Sequence, residues 1–144
     1  MNCFFDTSAL IKKYIAEKGS DLVSDYLKRA NLISVSATTR VECFSVLTRM
    51  VANDDLSKKD AVRLKAEIFE DFLFFSVIPF NEPTESLALD IVQKHRLRTL
   101  DSIQLASALV TKQLPDYFFG ADDKLNDCAK LEGLNVINPN KINL

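Results

Sequence analysis

The sequence predicts an α/β fold, a three-layer α/β/α sandwich with a central parallel β-sheet. Three observations carry that expectation. Short apolar runs of strand length recur along the chain, at Cys3-Phe4-Phe5, Leu32-Ile33-Ser34-Val35, Val77-Ile78-Pro79-Phe80, Tyr117-Phe118-Phe119 and Val136-Ile137. Longer stretches with apolar residues at helical spacing separate them. Strands that alternate with helices pair in parallel, with the helical crossovers covering both faces. The alternation leaves the order of the strands open.

Each element has its own local justification. Cys3-Phe4-Phe5 reads as the first strand, and Thr7 to Ala16 as the helix after it. Beyond Gly19, Leu22, Val23, Tyr26 and Leu27 share one helical face. Leu32 to Val35 is the second strand, and Ser36 or Thr38 is placed to cap a long helix reaching about Ala52. Asp54-Asp55-Leu56 interrupts the pattern, after which Ser57 and Asp60 form a capping box. That helix carries Ala61, Leu64, Ile68 and Phe72 on one side and ends near Phe75. The aromatic set Phe69, Phe72, Phe74 and Phe75 is expected mostly in the core, with any surplus available to a second copy of the chain or a protein partner. Pro79 marks the third strand as an end or an edge. Asn81 and Pro83 open a helix ending near His95, and another runs from Thr99 to Lys112. After Tyr117-Phe118-Phe119 a last helix stops at Gly133, before the strand Val136-Ile137.

Composition narrows the function. A chain of 144 residues, 47% of them hydrophobic, fits one domain over residues 1–144 with a proper core. No apolar run is long enough to span a bilayer, and the N-terminus lacks the basic and apolar regions of a signal peptide, so the expected location is cytoplasmic. Cys3, Cys43 and Cys128 show no metal spacing and are expected as reduced, buried thiols. The net charge of −2 counts mildly against a nucleic-acid partner, since proteins that bind through phosphates alone usually carry a basic surplus, but does not exclude one. A divalent ion held among carboxylates would change that balance locally. His95 is the only histidine, which excludes metal-free RNA cleavage by a histidine pair and a multi-histidine zinc site. With only Gly19, Gly120 and Gly133, the phosphate-loop and dinucleotide fingerprints are absent. Cys43 and Arg49 fit a Cys-x5-Arg spacing, but the residues between them contain no glycine and read as helix interior.

The acids are the informative residues. Ligands of open α/β sheets bind beyond the carboxyl ends of the strands. Asp6 directly follows the first strand and Asp122 closely follows the fourth, so two strands deliver a carboxylate to one rim. Glu42 lies in the first turns of an otherwise apolar helix, and Asp101 begins another. Taken singly, each acid is explained by helix capping or by the helix dipole. Together, four converging carboxylates without compensating arginines repel one another and raise at least one pKa. A hard divalent cation, Mg²⁺ or Mn²⁺, resolves that conflict.

Four segments resemble the motifs of PIN-domain nucleases. Phe4-Phe5-Asp6-Thr7-Ser8-Ala9-Leu10 is similar to the first and Arg40-Val41-Glu42 to the second. Leu97 to Ala106, reading LRTLDSIQLA, is similar to the third, and Phe118 to Leu125, reading FFGADDKL, to the fourth. They occur in family order over nearly the whole chain, in the style of VapC toxins. The resemblance implies a PIN-like sandwich, Mg²⁺ or Mn²⁺ dependence, RNA cleavage and a small antitoxin partner. It implies Asp6, Glu42, Asp101 and Asp122 as catalytic and metal-site residues and Ser8 as a hydroxyl supporting Asp6. The hydroxyl residue common two positions before the fourth acid is Gly120 here, and Asp123 is a candidate to substitute for Asp122 or help it.

The expected chemistry is an attack on an RNA phosphodiester by water that the ion activates. Lys12, Lys94, Arg96 and Arg98 are candidate contacts to the RNA backbone. The expected assembly is a homodimer. Two other readings use the same acids: a non-catalytic metal-binding interaction module, and a metal-dependent phosphatase of small phosphoesters.

Overall fold

In the computed structural model, which describes residues 1–141, five strands pair in parallel: β1 (Asn2–Phe5), β2 (Leu32–Ser36), β3 (Ser76–Ile78), β4 (Tyr117–Phe119) and β5 (Val136–Ile137). Their order across the sheet is β3-β2-β1-β4-β5. The chain therefore winds outward from β1 in one direction, then returns to the other side of β1 for β4 and β5. Between β1 and β4 the connections diverge, and such a reversal leaves a crevice at the carboxyl end of the sheet. Phe5 pairs with Phe119 at that end, and the Asp6 amide donates to the Phe119 carbonyl at 3.0 Å.

Among the described residues, seven α-helices cover the sheet: α1 (Thr7–Leu10), α2 (Ser20–Arg29), α3 (Thr39–Ala52), α4 (Lys58–Phe72), α5 (Glu82–His95), α6 (Thr99–Leu109) and α7 (Asp123–Leu131). Successive residues of a strand face opposite sides, so adjacent phenylalanines are divided between two cores. Phe5 and Phe119 stack at 4.4 Å between ring centroids and join Leu10, Val23, Leu47 and Ile68 from α1 to α4. Phe4 and Phe118 stack at 5.5 Å on the other face and join Ile91, Leu105, Leu125 and Ala129 from α5 to α7. The expected three-layer sandwich is the fold.

Several caps are formed as the sequence requires. Ser57 accepts from the Asp60 amide at 3.0 Å, Asn81 accepts from the Thr84 amide at 3.4 Å, and Gly133 takes the left-handed conformation just past α7. β3 is an edge strand, consistent with Pro79 directly after it. The three cysteines are buried and free. Among the described residues, no helix is long and apolar enough to cross a membrane.

Other expectations need correction. The first helix is a single turn, followed by a 3-10 turn at Ile11–Lys13 rather than a helix to Ala16. That tightening lets Leu10, Ile11 and Tyr14 all reach the core. Neither Ser36 nor Thr38 caps α3, because the Thr38 hydroxyl donates instead to Glu42. α4 ends at Phe72 and α6 at Leu109, both earlier than periodicity suggests. Phe69, on the outer side of α4, and Phe74, beyond its end, are 52% and 84% exposed, while Phe72 is buried and Phe75 packs against the core.

Candidate active site

The crevice between β1 and β4 is where the candidate acids are built. Asp6 ends β1 in an extended conformation and caps α1, with Oδ1 accepting from the Ala9 amide at 3.0 Å and the Ser8 hydroxyl at 2.7 Å. Ser8 Oγ in turn accepts from the Ala121 amide at 2.9 Å. One hydroxyl thus joins the first acid to the loop after β4. Asp122 caps α7 by accepting from the Leu125 amide at 2.8 Å, also through Oδ1. In both residues a single oxygen, Oδ1, accepts the bond that caps the helix.

Glu42 occupies the first turn of α3. Its Oε1 accepts from the Thr38 hydroxyl at 2.8 Å and from the Gln104 amide nitrogen at 2.9 Å. Asp101, half-buried, lies in the first turn of α6. All the donors that hold these carboxylates are neutral, and among the described residues none of the four acids forms an ion pair. Two other partly buried acids behave differently. Asp71 takes Lys13 and Tyr14, and Glu132 takes Lys94 at 2.9 Å and His95 at 2.7 Å.

Electrostatics tie the acids into one group. Burial is the main force pushing the Asp6 carboxyl from 3.8 up to about 7, and the charges of Asp101 and Glu42 add to it. The hydrogen bonds from Ser8 and Ala9 oppose that rise. Burial also raises Asp101, helped by Asp122 and Glu42 and opposed by Arg98 and Lys124. Asp101 thus feels Asp122 and Glu42 directly, and Asp6 feels Asp101 and Glu42.

Whether this set suits a divalent cation is a question of donor chemistry. Among the described residues, no three His, Cys, Asp or Glu side chains stand close enough to enclose an ion by themselves. Mg²⁺ does not require such an enclosure, since it is bound through one or two carboxylates and keeps several waters. The donors are all hard oxygens without a cationic partner, and the buried Asp6 strongly disfavours its own charge. Their oxygen donors are of the kind that hard cations such as Mg²⁺ or Mn²⁺ take and are unsuited to a soft metal.

The other candidates are dispersed. Asp123 turns away from the crevice, its Oδ1 paired with Lys141 at 2.8 Å. Lys12, expected at the surface as an RNA contact, is only 4% exposed and donates to Glu17 Oε1 and the Lys18 carbonyl, so it presents no free cation. Lys94 is engaged by Glu132. Arg96 ends α5 in the left-handed conformation, and its carbonyl accepts from Lys124 Nζ at 3.4 Å. Arg98 is exposed beside α6 and, with Lys124, is within electrostatic reach of Asp101.

Sequence reasoning missed Gln104, Thr38, Lys124 and Asn126. Gln104 had one available signal, a polar residue among Ile103, Leu105, Ala106 and Ala108 on an otherwise apolar helix. In the sequence Thr38 reads only as a helix cap. A cavity of ≈ 560 Å³ opens on the Glu42 side of the acids, lined among others by Thr38, Arg49, Phe80 and Leu100.

Comparison with known proteins identifies the family and the fold. The family model described as PIN domain matches residues 3–131. Ribonuclease VapC46 of Mycobacterium tuberculosis is 28% identical over 142 residues, covering 94% of this chain and 96% of that protein. Among solved structures, a toxin–antitoxin complex from Klebsiella pneumoniae superposes with a TM-score of 0.69 at 18% identity, covering 97% of this chain and 99% of that one. The Mycobacterium tuberculosis toxin VapC20, described as cleaving the sarcin–ricin loop, superposes with a TM-score of 0.70 at 15% identity, covering 95% and 99%.

Proposed function

The chain belongs to the PIN domain family, and from that premise we propose that it is a Mg²⁺- or Mn²⁺-dependent endoribonuclease, the toxin of a toxin–antitoxin pair. The observation that supports this reading is that Asp6 and Asp101 feel the charges of the other acids, while among the described residues none of the four forms an ion pair. A structural cluster of acids would have its charge answered by lysine or arginine, as Asp71 and Glu132 do. Among the described residues no lysine or arginine answers these four. The ribonuclease name carried by a relative matched over nearly its full length supports RNA as the substrate. A similar structure that is a toxin–antitoxin complex supports a small protein partner. The exposed apolar residues Phe69, Leu73 and Phe74 supply surface for such a partner or for a second copy of the chain.

Asp6, Glu42, Asp101 and Asp122 are the residues that would hold the ion. When bound, it supplies an activated water and charge compensation for the phosphoryl oxygens. The chain's own contribution is positional. Ser8 and the Ala9 amide fix Asp6, Thr38 and Gln104 fix Glu42, and the Leu125 amide fixes Asp122. Arg98 and Lys124, on the Asp101 side, are disposed to receive the RNA backbone and to orient the scissile phosphate.

The test is cleavage of defined RNAs by purified protein with Mn²⁺ or with chelator. Cleavage is expected only with the ion. Asp6→Asn is expected to abolish it while leaving the circular-dichroism spectrum unchanged, because Asn caps a helix as well as Asp does. Undiminished metal-dependent cleavage by Asp6→Asn removes the assignment. Turnover of a small phosphoester without RNA cleavage would identify a phosphatase, and Mn²⁺ binding with neither activity would identify an interaction module.

A further inference from the structure

Gln104 is 2% exposed, and its amide nitrogen lies 3.0 Å from the Thr7 hydroxyl, 3.0 Å from the Thr39 hydroxyl and 2.9 Å from Glu42 Oε1. The orientation of the amide is fixed by chemistry. Its oxygen turned toward Glu42 would set two acceptors against each other in a buried place. The opposite end of the amide, Gln104 Oε1, is buried without a hydrogen-bond partner among the described residues. An apolar side chain would avoid that orphaned acceptor, so the amide must be accounted for by what its nitrogen holds.

We propose that Gln104 is the positioning residue that sets Glu42 against the other acids. The inference rests on the acidic crevice being a cation site. Gln104 is three residues after Asp101 on α6, so the two share one helical face. α6 thereby delivers Asp101 to the site directly and holds Glu42 through Gln104, which fixes the spacing of the two carboxylates. The same nitrogen reaches Thr7, the neighbour of Asp6 in the chain, and so relates all three to one buried point. Thr38, the other donor to Glu42, lies one turn back beside the same helix and ties α3 only to itself. A glutamate side chain has three rotatable bonds, and without Gln104 no contact from another element restrains its carboxylate among the described residues.

Gln104→Met keeps the length of the side chain and removes both donors. Mn²⁺ binding by the metal-free protein, followed by electron paramagnetic resonance, is expected to weaken about 10–100-fold, the loss typical of a residue that orients a ligand. The kcat on a defined RNA is expected to fall by a comparable factor with KM unchanged. Thr39→Val, which removes an anchor of the amide but leaves Glu42 untouched, is expected to give a smaller loss of the same kind. The double variant should be no worse than Gln104→Met, because both act along one path. If Gln104→Met does not fold, Gln104→Asn, which withdraws the amide by one methylene, goes through the same measurements.

Unchanged Mn²⁺ affinity and kcat in a folded Gln104 variant overturns the inference, whatever its melting temperature. Additive losses in the double variant do so as well. Wild-type protein that neither binds Mn²⁺ nor cleaves RNA overturns the endoribonuclease reading itself, and this inference falls with it.

Discussion

At the scale of the residue, Asp6 carries the largest electrostatic consequence. Its carboxyl is pushed up to about 7 from 3.8, mainly by burial. The folded state therefore binds the Asp6 proton more tightly than the unfolded chain does. The resulting stabilisation of the metal-free protein is fully present below about pH 4 and is lost as pH rises toward 7. A rise of about three units corresponds to about 4 kcal/mol at most, at 1.36 kcal/mol per unit. Asp6→Asn retains the cap and the Ser8 contact but cannot titrate. In denaturant titrations with chelator, the variant is expected to lack this loss between pH 4 and 7 and to exceed wild type in stability at pH 8. A variant that shows the wild-type slope would mean that other groups set the acid dependence. The substitution that abolishes catalysis is thus expected to stabilise the empty protein.

At the scale of the element, the β4–α7 loop shows how a missing hydroxyl is replaced. Gly120 stands where the family resemblance leads one to expect Ser or Thr. A Cβ there would lie 2.3 Å from Asn126 Oδ1 and 3.1 Å from a ring carbon of Phe118. Asn126 Nδ2 donates to the Gly120 carbonyl at 2.8 Å, and the Asn126 amide donates to the Asp122 carbonyl at 3.0 Å. α7 therefore holds the loop from inside, and the room that a side chain at 120 would need is taken by Asn126. Gly120→Ser is expected to destabilise the protein by about 1–3 kcal/mol, as overpacking does. Combined with Asn126→Ala, the same substitution should cost much less than when made alone, which thermal denaturation of the four proteins would measure. Equal costs in both backgrounds would show that Asn126 is not what excludes a side chain at 120.

At the scale of the whole molecule, the crevice lies between two cores, with α1 and α3 approaching it from one face and α6 and α7 from the other. On the proposed function, an ion held there through one or two of these carboxylates would stabilise the folded chain as a unit. Mn²⁺ at 100 times its dissociation constant is expected to add about 2.7 kcal/mol to the unfolding free energy. Denaturant titration with and without Mn²⁺ at pH 8 would measure that increment, and most of it should be missing from Asp6→Asn. An equal increment in both proteins would place the ion elsewhere on the surface.

The sequence by itself determined the alternation of strands and helices, the division of adjacent phenylalanines between two faces, most of the caps, and the position of Asp6 and Asp122 at strand ends. These follow from local periodicity and from the next few residues, which a linear chain displays. Only the tertiary structure decided the order β3-β2-β1-β4-β5, which makes β1 and β4 neighbours and so sets side by side two strand ends more than a hundred residues apart in the chain. It also decided that Thr38 serves Glu42 rather than a helix end, that Lys12 is buried, and that Gln104 faces a carboxylate. The physical reason is common to all of these. A hydrogen bond or a desolvated charge depends on what arrives from other elements, and the spacing of residues along one segment carries no record of it.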